Sequence, residues 1–302
     1  MAESRSAGVG VGAVYSGALA EPLADRPDLI DVVSVIPETL WHESTGPDRY
    51  TWIHSSVDLF DAATANYPVV FHGIGLSLGT AGPLDVGHLE QVAIAADRYA
   101  PLWVSEHLAA FRVGSGPTSA HAGVGLPIAF EPATLRMLAP KVTEMQRRLG
   151  ARVLLENSAV YVDIPEVPWT EAGLLNRLCE ATGCGVLLDL HNLFVNEMNL
   201  GWDGDEYLDE LDLANVIEVH IAGGEHIGRW YTDAHSGAAP DRVHELLERL
   251  AGEADALRLA TFELHESRYD TLGIDGFTGE LAAIRTALDA ANLADVEALD
   301  VA

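Results

Sequence analysis

The chain has 302 residues, of which 48% are hydrophobic, and its 46 acidic residues against 17 basic ones give a net charge of −29. A field of that sign repels nucleic acid and anionic membrane surfaces, so neither is an expected partner. No apolar run has the length that spans a bilayer, and the Gly-rich, charge-bearing N-terminal stretch is a poor secretion signal. The sequence therefore favours a cytoplasmic protein, with Cys179 and Cys184 as buried free thiols.

Eight apolar, β-rich runs recur along the chain, and helical patterns separate them. The runs cover residues 8–15, 31–37, 68–75, 102–108, 152–157, 185–192, 216–222 and 258–265. The clearest amphipathic stretches cover residues 87–100, 131–150, 241–252 and 276–292. Pro140 lies inside the second stretch, so that helix is expected to be kinked or split. The eightfold alternation of apolar strands and helices predicts an α/β fold, a single (β/α)8 TIM-barrel domain over residues 1–302. The barrel itself is predicted over about residues 8–291, with a short C-terminal tail.

An open, doubly wound sheet is the alternative architecture. It would normally place a Gly-rich phosphate turn between the first strand and the first helix, with an acidic residue further on for a ribose. The glycines of GVGVGAVYSG, residues 8–17, lie within the apolar run instead. Two segments that interrupt the alternation, residues 113–125 and 196–207, are predicted to be long loops.

The predicted strands carry ionisable side chains near their C-terminal ends, where barrel enzymes place their active sites. In chain order these are Glu38 and His42, His72, Glu106 and His107, Glu156, Asp189 and His191, His220 followed by Asp233 and His235, and Glu263 with His265. Each one alone is more simply explained as a hydrogen-bonded core histidine or a salt-bridged carboxylate. Together, the barrel geometry would aim them at one centre.

A metal would resolve the charge conflict that this set creates. Glu156 ends the buried run VLLE, and a buried carboxylate is costly unless something compensates it. Arginine and lysine are nearly absent from the strand ends, so neighbouring carboxylates would repel each other and raise one another's pKa. Imidazole and carboxylate donors without cysteine suit iron, manganese or zinc.

The number of donors predicts more than one ion. Four histidines and four carboxylates are well placed, enough for two or three ions with bridging carboxylates, since one ion with open positions needs about three protein ligands. Asn157 and Asn192 are either oxygen ligands or residues that orient the ligands. Glu106 precedes His107 and faces the other side of a regular strand, so an orienting role is expected, and the role of His191 stays open. Leu154 should face the barrel axis below the metals.

Six motifs in this order resemble the multinuclear non-heme iron-dependent oxidative enzymes, which are relatives of the xylose-isomerase-like barrels. The motifs are FHGIGLSLGT, WVSEHL, LLEN…YV, LLDLHNLFVNEMNLG, EVHIAGG and TDAHSG. The match extends from about Gly8 to the last helix and so covers nearly the whole chain.

The resemblance implies a specific activity and ligand set. Such enzymes hold two or three iron ions, with mixed Fe(II)/Fe(III) states expected, and use dioxygen to modify residues of ribosomally made peptides, often cysteine and here also aspartate as a candidate. Many need a separate small protein that recognises the leader peptide; none is expected to be fused here. The matching metal-binding positions are His72, His107, Glu156, Asp189, Asn192, His220, Asp233, His235 and Glu263. Glu106, Asn157 and His191 are then expected to orient ligands or face the substrate.

Four departures from the family pattern lie near the expected substrate cavity. The first strand lacks the Arg and His that follow it in many members, and Glu38-Thr39-Leu40 stands where Glu-Asn-Tyr is usual. The family's LLDVNN is LLDLHN here, so His191 stands where an asparagine is usual. Gly224 stands where the second histidine of HLAGH is usual. These changes leave the substrate and the exact reaction open more than the metal centre.

Three other functions remain as alternatives. The same barrel superfamily contains divalent-metal sugar isomerases and epimerases, which need a proton-shuttling base and no dioxygen. It also contains a trinuclear zinc endonuclease, which the net charge of −29 disfavours. A non-catalytic metal or peptide binder would have no open coordination position.

Overall fold

The structure is a computed structural model that describes residues 9–44, 49–114 and 120–300, with side chains described as far as residue 290. Eight parallel strands form a barrel: β1 (Gly10–Val14), β2 (Val32–Val35), β5 (Val69–Gly73), β6 (Val104–His107), β9 (Val153–Glu156), β10 (Gly185–Asp189), β11 (Val216–Ala222) and β14 (Leu259–Glu263). The barrel is closed, in the order β1-β14-β11-β10-β9-β6-β5-β2. The predicted parallel barrel is therefore confirmed, and each strand lies inside one of the eight predicted runs.

Three two-stranded antiparallel units follow barrel strands at their C-terminal ends. They are β3 (Trp41–Glu43) with β4 (Tyr50–Trp52), β7 (Ala110–Val113) with β8 (Ala120–Leu126), and β12 (Glu225–Ile227) with β13 (Trp230–Thr232). The loop predicted over residues 113–125 is therefore wrong for β8, because pairing with β7 satisfies its backbone; residues 115–119 lie outside the described residues.

The helices of the described residues surround the barrel. They are α1 (Gly17–Asp25), α2 (His54–Thr64), α3 (Val86–Tyr99), α4 (Pro132–Leu149), α5 (Glu171–Thr182), α6 (Leu190–Leu200), α7 (Gly204–Glu210), α8 (Asp241–Glu253) and α9 (Tyr269–Asp300), the last interrupted at Gly273. Short 3-10 turns cover Pro37–Leu40, Leu213–Asn215 and Glu266–Arg268. Among these helices, none combines the length and the apolarity that crossing a bilayer requires.

Two expectations about helices are corrected. The helix that was expected to be kinked or split at Pro140 is not split, because α4 continues through it with the buried Leu138 and Val142 on either side. A proline removes one backbone hydrogen bond, and the packing of the buried face offsets that loss. The loop predicted over residues 196–207 falls largely within α6 and α7. Asp203 caps α7 by accepting hydrogen bonds from the backbone N–H groups of residues 205 and 206.

The barrel interior below the strand ends is apolar. Seven buried side chains around the barrel axis form this floor: Val32, Val70, Trp103, Leu154, Leu187, Ile217 and Leu259. Leu154 belongs to it, as its alternation with Glu156 predicts. A second, larger core lies between the strands and the helices and includes Val153 and Leu155. Side chains of β9 thus alternate between two apolar regions until the chain reaches Glu156.

Glu171 ties the start of α5 to the end of β9. Its carboxylate accepts hydrogen bonds from the backbone N–H of Ser158 at 3.0 Å and from the hydroxyl of Tyr207 at 3.2 Å. The side chain is buried, and burial raises the pKa of Glu171 to about 7. The folded protein therefore binds a proton at Glu171 at pH values where the unfolded chain has already released it.

The sign of this linkage predicts a loss of stability as the pH rises. Between about pH 4.5 and 7 the folded state holds the extra proton, so Glu171 lowers the free energy of unfolding by about 3 kcal/mol across that window. We expect Glu171→Gln to become more stable relative to wild type by up to that amount between pH 4.5 and 7.5, measured by urea unfolding. Glu248→Gln, at an exposed position of α8, should show no such change; an equal change in both variants would contradict the assignment.

Candidate metal centre

Glu156 is the last residue of β9 and is 1% exposed. Two histidines from the neighbouring strands approach the same oxygen, because Nε2 of His72 and Nε2 of His107 lie 3.4 and 3.2 Å from Oε2 of Glu156. The rings of His72 and His107 are 4.7 Å apart. No hydrogen-bond partner satisfies this Glu156 oxygen among the described residues. The three donor atoms therefore face one another as ligands of a metal ion would.

The other ring nitrogens of these histidines are fixed by neutral acceptors. Nδ1 of His72 lies 2.9 Å from the hydroxyl of Ser105, which itself donates to the carbonyl of Phe71 and so accepts from the histidine. Nδ1 of His107 lies 3.2 Å from the carbonyl of Gly73. Both rings thus carry their proton on Nδ1 and offer Nε2 to the centre.

His220 extends the cluster across the barrel. Its Nδ1 lies 3.1 Å from Oε2 of Glu263 on β14 and 3.7 Å from Oε1 of Glu156. The rings of His72 and His220 are 4.9 Å apart. Glu156 thus directs one oxygen toward the His72 side and the other toward His220, which is the arrangement of a bridging carboxylate.

A third part of the cluster comes from the segment after β13. Nε2 of His235 lies 2.8 Å from Oδ1 of Asp233 and 3.5 Å from Oε2 of Glu263. Nδ1 of His191 lies 3.0 Å from the same Asp233 oxygen. His235 adopts a φ of 45°, a conformation that side chains rarely adopt, and the backbone N–H of His265 holds its carbonyl at 2.8 Å.

Five overlapping groups of three donors have ligand atoms within 4.8 Å of one another. They are His72–His107–Glu156, His72–His220–Glu263, Glu156–Asp189–His220, Asp189–His235–Glu263 and His191–Asp233–His235. Shared members link all five, so the groups form one continuous set of candidate metal ligands.

The hydrogen bonding of the cluster provides a test of whether a metal fits. Buried polar atoms without a hydrogen-bond partner among the described residues converge here: Glu156 Oε2, Asp189 Oδ2, His191 Nε2, Asn192 Oδ1, both nitrogens of His220 and His235 Nε2. An unsatisfied buried polar group costs about 1–3 kcal/mol, so a concentration of them on one centre is unfavourable without a ligand. Metal ions would satisfy those of these atoms that face the donor groups, whereas Nε2 of His220 faces Glu218 and Nε2 of His191 faces Gly224.

The electrostatics of the centre lead to the same conclusion. Burial raises the pKa of Glu156 well above its ordinary value, and Asp189 adds to the increase. Burial, with the nearby charges of Asp233 and Glu263, raises the pKa of Asp189 to about 6. The ion-pair partners of Glu156, Asp233 and Glu263 among the described residues are all histidines. Bound cations would stabilise these carboxylates in their charged form.

Asn157 and Asn192 occupy different positions in this arrangement. The amide of Asn157 accepts from the backbone N–H of Asp189 at 2.7 Å and donates to its carbonyl at 2.9 Å, so it fixes the end of β10. Asn192 donates to the carbonyl of Asn157 at 3.1 Å and leaves its Oδ1 unpaired. Asn157 therefore orients Asp189, whereas Asn192 retains an oxygen for a ligand.

His191 and Asn192 lie in the first turn of α6, not on β10 as predicted. Asp189 ends the strand and caps the helix, its Oδ1 accepting from the backbone N–H of Asn192 at 2.8 Å. His191 is fully buried, and its Nε2 lies 3.0 Å from where a side chain on Gly224 would begin. That position would also be 2.0 Å from the carbonyl of Thr232, so no side chain fits at residue 224 beside this hairpin.

The remaining predicted residues lie outside the cluster. Glu106 is buried, and its Oε2 faces the backbone N–H of Leu76 at 3.4 Å, under the segment that follows β5. Glu38 accepts from the N–H groups of that segment and contacts His88. His42 and His265 are exposed. Their position near the end of a predicted strand was therefore not enough to distinguish these side chains from the candidate ligands.

Two participants were missed by the sequence reasoning. Ser105 fixes His72, and Glu218 lies directly below His220. Each stands two residues before a predicted ligand, in VSEH and EVH, so strand alternation placed both on the ligand face.

The fold and the centre together define a xylose-isomerase-like barrel with a candidate metal centre at the C-terminal ends of its strands. The model of the family of RiPP precursor modification enzymes MbnB/TglH/ChrH, which act on ribosomally synthesised peptides, matches residues 8–284. The chain belongs to this family.

Relatives known only as UPF0276 proteins support the same grouping. One from Caulobacter vibrioides is 31% identical over 229 residues, 76% of this chain and 77% of the relative. One from Chromobacterium violaceum is 41% identical over 179 residues, 59% of this chain. The chain aligns with 63% of that relative's length, just under two thirds.

Solved structures share the fold at low sequence identity. Endonuclease IV from Thermus thermophilus superposes with a TM-score of 0.56 and 19% identity, covering 93% of this chain and 99% of that one. An L-ribulose 3-epimerase superposes with a TM-score of 0.54 and 15% identity over 96% and 98% of the two chains. At these identities the likeness concerns the barrel alone.

A metal should stabilise the protein through Glu156. Wild-type protein at 100 times the dissociation constant should gain about 2.7 kcal/mol, which is roughly 5 °C or more in Tm for a chain of this size. We expect Glu156→Gln to lose most of the Tm gain on adding Fe(II) under anaerobic conditions, measured by differential scanning calorimetry. Its metal-free form should be no less stable than metal-free wild type, because one buried charge is removed.

His265→Gln is the matched control, since His265 is exposed and bonds to Ser267. It should keep the full metal-induced gain. Equal gains in wild type and Glu156→Gln would contradict the placement of the centre.

Proposed function

We propose that this chain is an iron- and dioxygen-dependent enzyme that oxidises a residue of a ribosomally made precursor peptide, with cysteine as the first target to test and aspartate as the second. The observation that carries the proposal is the set of overlapping donor groups that share Glu156, in a chain of a peptide-modifying family. A single metal ion would need only one of these groups of three donors.

The donor types support iron. The cluster offers imidazole nitrogens and carboxylate oxygens, whereas Cys179 and Cys184 lie at the end of α5 and before β10, at the opposite end of the barrel. Such a set suits iron, manganese or zinc. Iron when bound supplies one-electron redox chemistry with dioxygen, which neither zinc nor the side chains provide.

The chain's own residues would fix the ligands before the substrate arrives. Ser105 and the Gly73 carbonyl hold the proton of His72 and of His107 away from the centre. Asn157 holds the Asp189 peptide through two hydrogen bonds. Ligands fixed in this way lose little conformational freedom on binding, which favours an ordered site with open positions for substrate and dioxygen.

The surroundings of the centre support a peptide substrate over a sugar. Phe111 of β7 packs edge-on against His107 at 5.3 Å. Exposed apolar side chains stand on three of the segments that follow barrel strands: Val113, Val124, Val162 and Ile227. Such apolar side chains could contact the side chains of a peptide, whereas a sugar is bound mainly through polar groups.

A sugar isomerase or epimerase remains the second candidate, since such enzymes share the fold. The base for that reaction is commonly a lysine or a glutamate, and a lysine is not provided at the centre. Lys141 is the single lysine of the sequence, and it donates to the carbonyls of Leu78 and Thr80 at 2.8 and 2.6 Å from α4.

A separate small protein that recognises the leader of the precursor peptide is part of the proposal, as is a cytoplasmic location. The first is tested by comparing turnover of the peptide with and without proteins encoded beside this chain.

The reaction predicts an oxygen-dependent mass change. Protein made with ample iron should contain two or three iron ions per chain, and co-expression with a cysteine-containing precursor should change the peptide mass. We expect Glu156→Ala to reduce turnover at least about 100-fold, because it removes a shared ligand. Mass spectrometry of the peptide, with and without air, provides the measurement.

His265→Ala should keep wild-type turnover. Protein without iron, together with unimpaired turnover in Glu156→Ala, would contradict the proposal. Epimerisation of a ketohexose in the absence of air would support the sugar enzyme instead.

A further inference from the structure

Glu218 is a fully buried carboxylate inside the barrel, one layer below the metal centre. Its Oε2 accepts a hydrogen bond from the indole N–H of Trp103 at 2.7 Å, and its Oε1 accepts one from the hydroxyl of Thr261 at 2.7 Å. The indole N–H can only donate, so this oxygen must be an acceptor. Trp103 belongs to the apolar floor, and Glu218 is therefore the polar group at the boundary between floor and centre.

The charged neighbour of Glu218 among the described residues is His220. Nε2 of His220 lies 3.5 Å from Oε1 of Glu218, and neither nitrogen of the ring has a hydrogen-bond partner in the described part of the chain. A buried carboxylate without compensation is unfavourable. A small approach of the ring would convert this contact into a hydrogen bond from Nε2–H.

His220 has the reverse ring orientation of His72 and His107. His72 and His107 direct Nε2 toward Glu156 and hold Nδ1 on neutral oxygens. His220 directs Nδ1 toward Glu263 and Glu156 and turns Nε2 down to a carboxylate. A ligand histidine needs its free lone pair on the nitrogen that faces the metal, so the acceptor at the other nitrogen decides which tautomer binds.

We propose that Glu218 is a positioning residue of the metal centre, which accepts Nε2–H of His220 and thereby presents Nδ1 to the ion shared with Glu156 and Glu263. The inference rests on the metal centre that the proposed function requires, and it does not depend on the reaction. A carboxylate also makes the imidazole a stronger donor than the hydroxyl of Ser105 or the carbonyl of Gly73 does, so His220 becomes a stronger metal donor than His72 or His107.

Replacement by glutamine tests this role because it keeps the shape of the side chain but replaces one acceptor oxygen with an amide group that donates hydrogen bonds. With its single oxygen on the Trp103 N–H, the amide of Glu218→Gln directs N–H toward Thr261 and His220. The threonine hydroxyl can accept, but His220 is then driven to the tautomer with its proton on Nδ1, which cannot bind metal there.

We expect Glu218→Gln to weaken the binding of Fe(II) or Mn(II) by about 10–100-fold, measured by anaerobic titration of the metal-free protein without peptide. Thr261→Val keeps the carboxylate and removes one donor to it, so its metal affinity should fall by less than about 3-fold. Glu171→Gln is the matched control, an equally buried carboxylate that contacts no ligand side chain, and it should bind metal as wild type does. A role confined to folding would lower the Tm of Glu218→Gln and leave its affinity unchanged, which overturns the inference.

A second measurement does not require Glu218→Gln to fold. In zinc(II)-loaded wild-type protein labelled with ¹⁵N-histidine, the resonance lost in His220→Gln should show a proton on Nε2 and none on Nδ1. The opposite tautomer would overturn the inference. If wild type binds neither iron, manganese nor zinc, the proposed function fails as well; if wild type and Glu218→Gln bind metal equally, the role of Glu218 alone is rejected.

Discussion

The compensation of buried negative charge at the C-terminal ends of the barrel strands is the constraint on which the rest of the site depends. Glu156, Asp189, Asp233 and Glu263 converge there, with histidines as their charged partners in the described part of the chain. Their mutual repulsion inside an apolar surround would be unfavourable for a structure without bound cations. Bound metal ions would offset the negative charge that burial concentrates at this end of the barrel.

The barrel frame determines which side chains can join the centre. Side chains of residues i and i+2 on a strand point to the same face of the sheet. The same strands therefore supply both the apolar floor and the candidate ligands above it. Leu154 lies in the floor and Glu156 in the centre, one step higher. The layer between floor and ligands contains the polar residues Ser105, Glu218 and Thr261, which bond upward to histidines or to each other. Orientation of the ligands is thus built into the barrel wall.

Alternation of strands and helices was sufficient to predict the barrel and its eight strands, because burial on both faces makes parallel strands continuously apolar. The same alternation was not sufficient to predict which side chains at the strand ends belong to the centre. His191 and Asn192 lie in a helix, because the carboxylate of Asp189 caps that helix. The sequence does not show whether this carboxylate ends a strand or begins a helix. Glu106 and His107 are both ionisable residues at the end of β6. Only His107 approaches Glu156, because adjacent residues of a strand face opposite sides. Antiparallel pairing of β7 with β8 depends on a distant register that composition does not reveal.

The barrel is shared with endonuclease IV and with sugar epimerases, so the fold cannot select the reaction. The histidines of this centre are held in two different ways. His72 and His107 lie on neutral acceptors, whereas His220 lies on a carboxylate, so ions on either side of Glu156 would have ligands of unequal donor strength. Unequal donors favour different charge states at neighbouring ions, because the stronger donor stabilises the higher charge. In the proposed function, unlike sites on the two sides of Glu156 would suit redox chemistry at one ion better than proton transfer between identical ions.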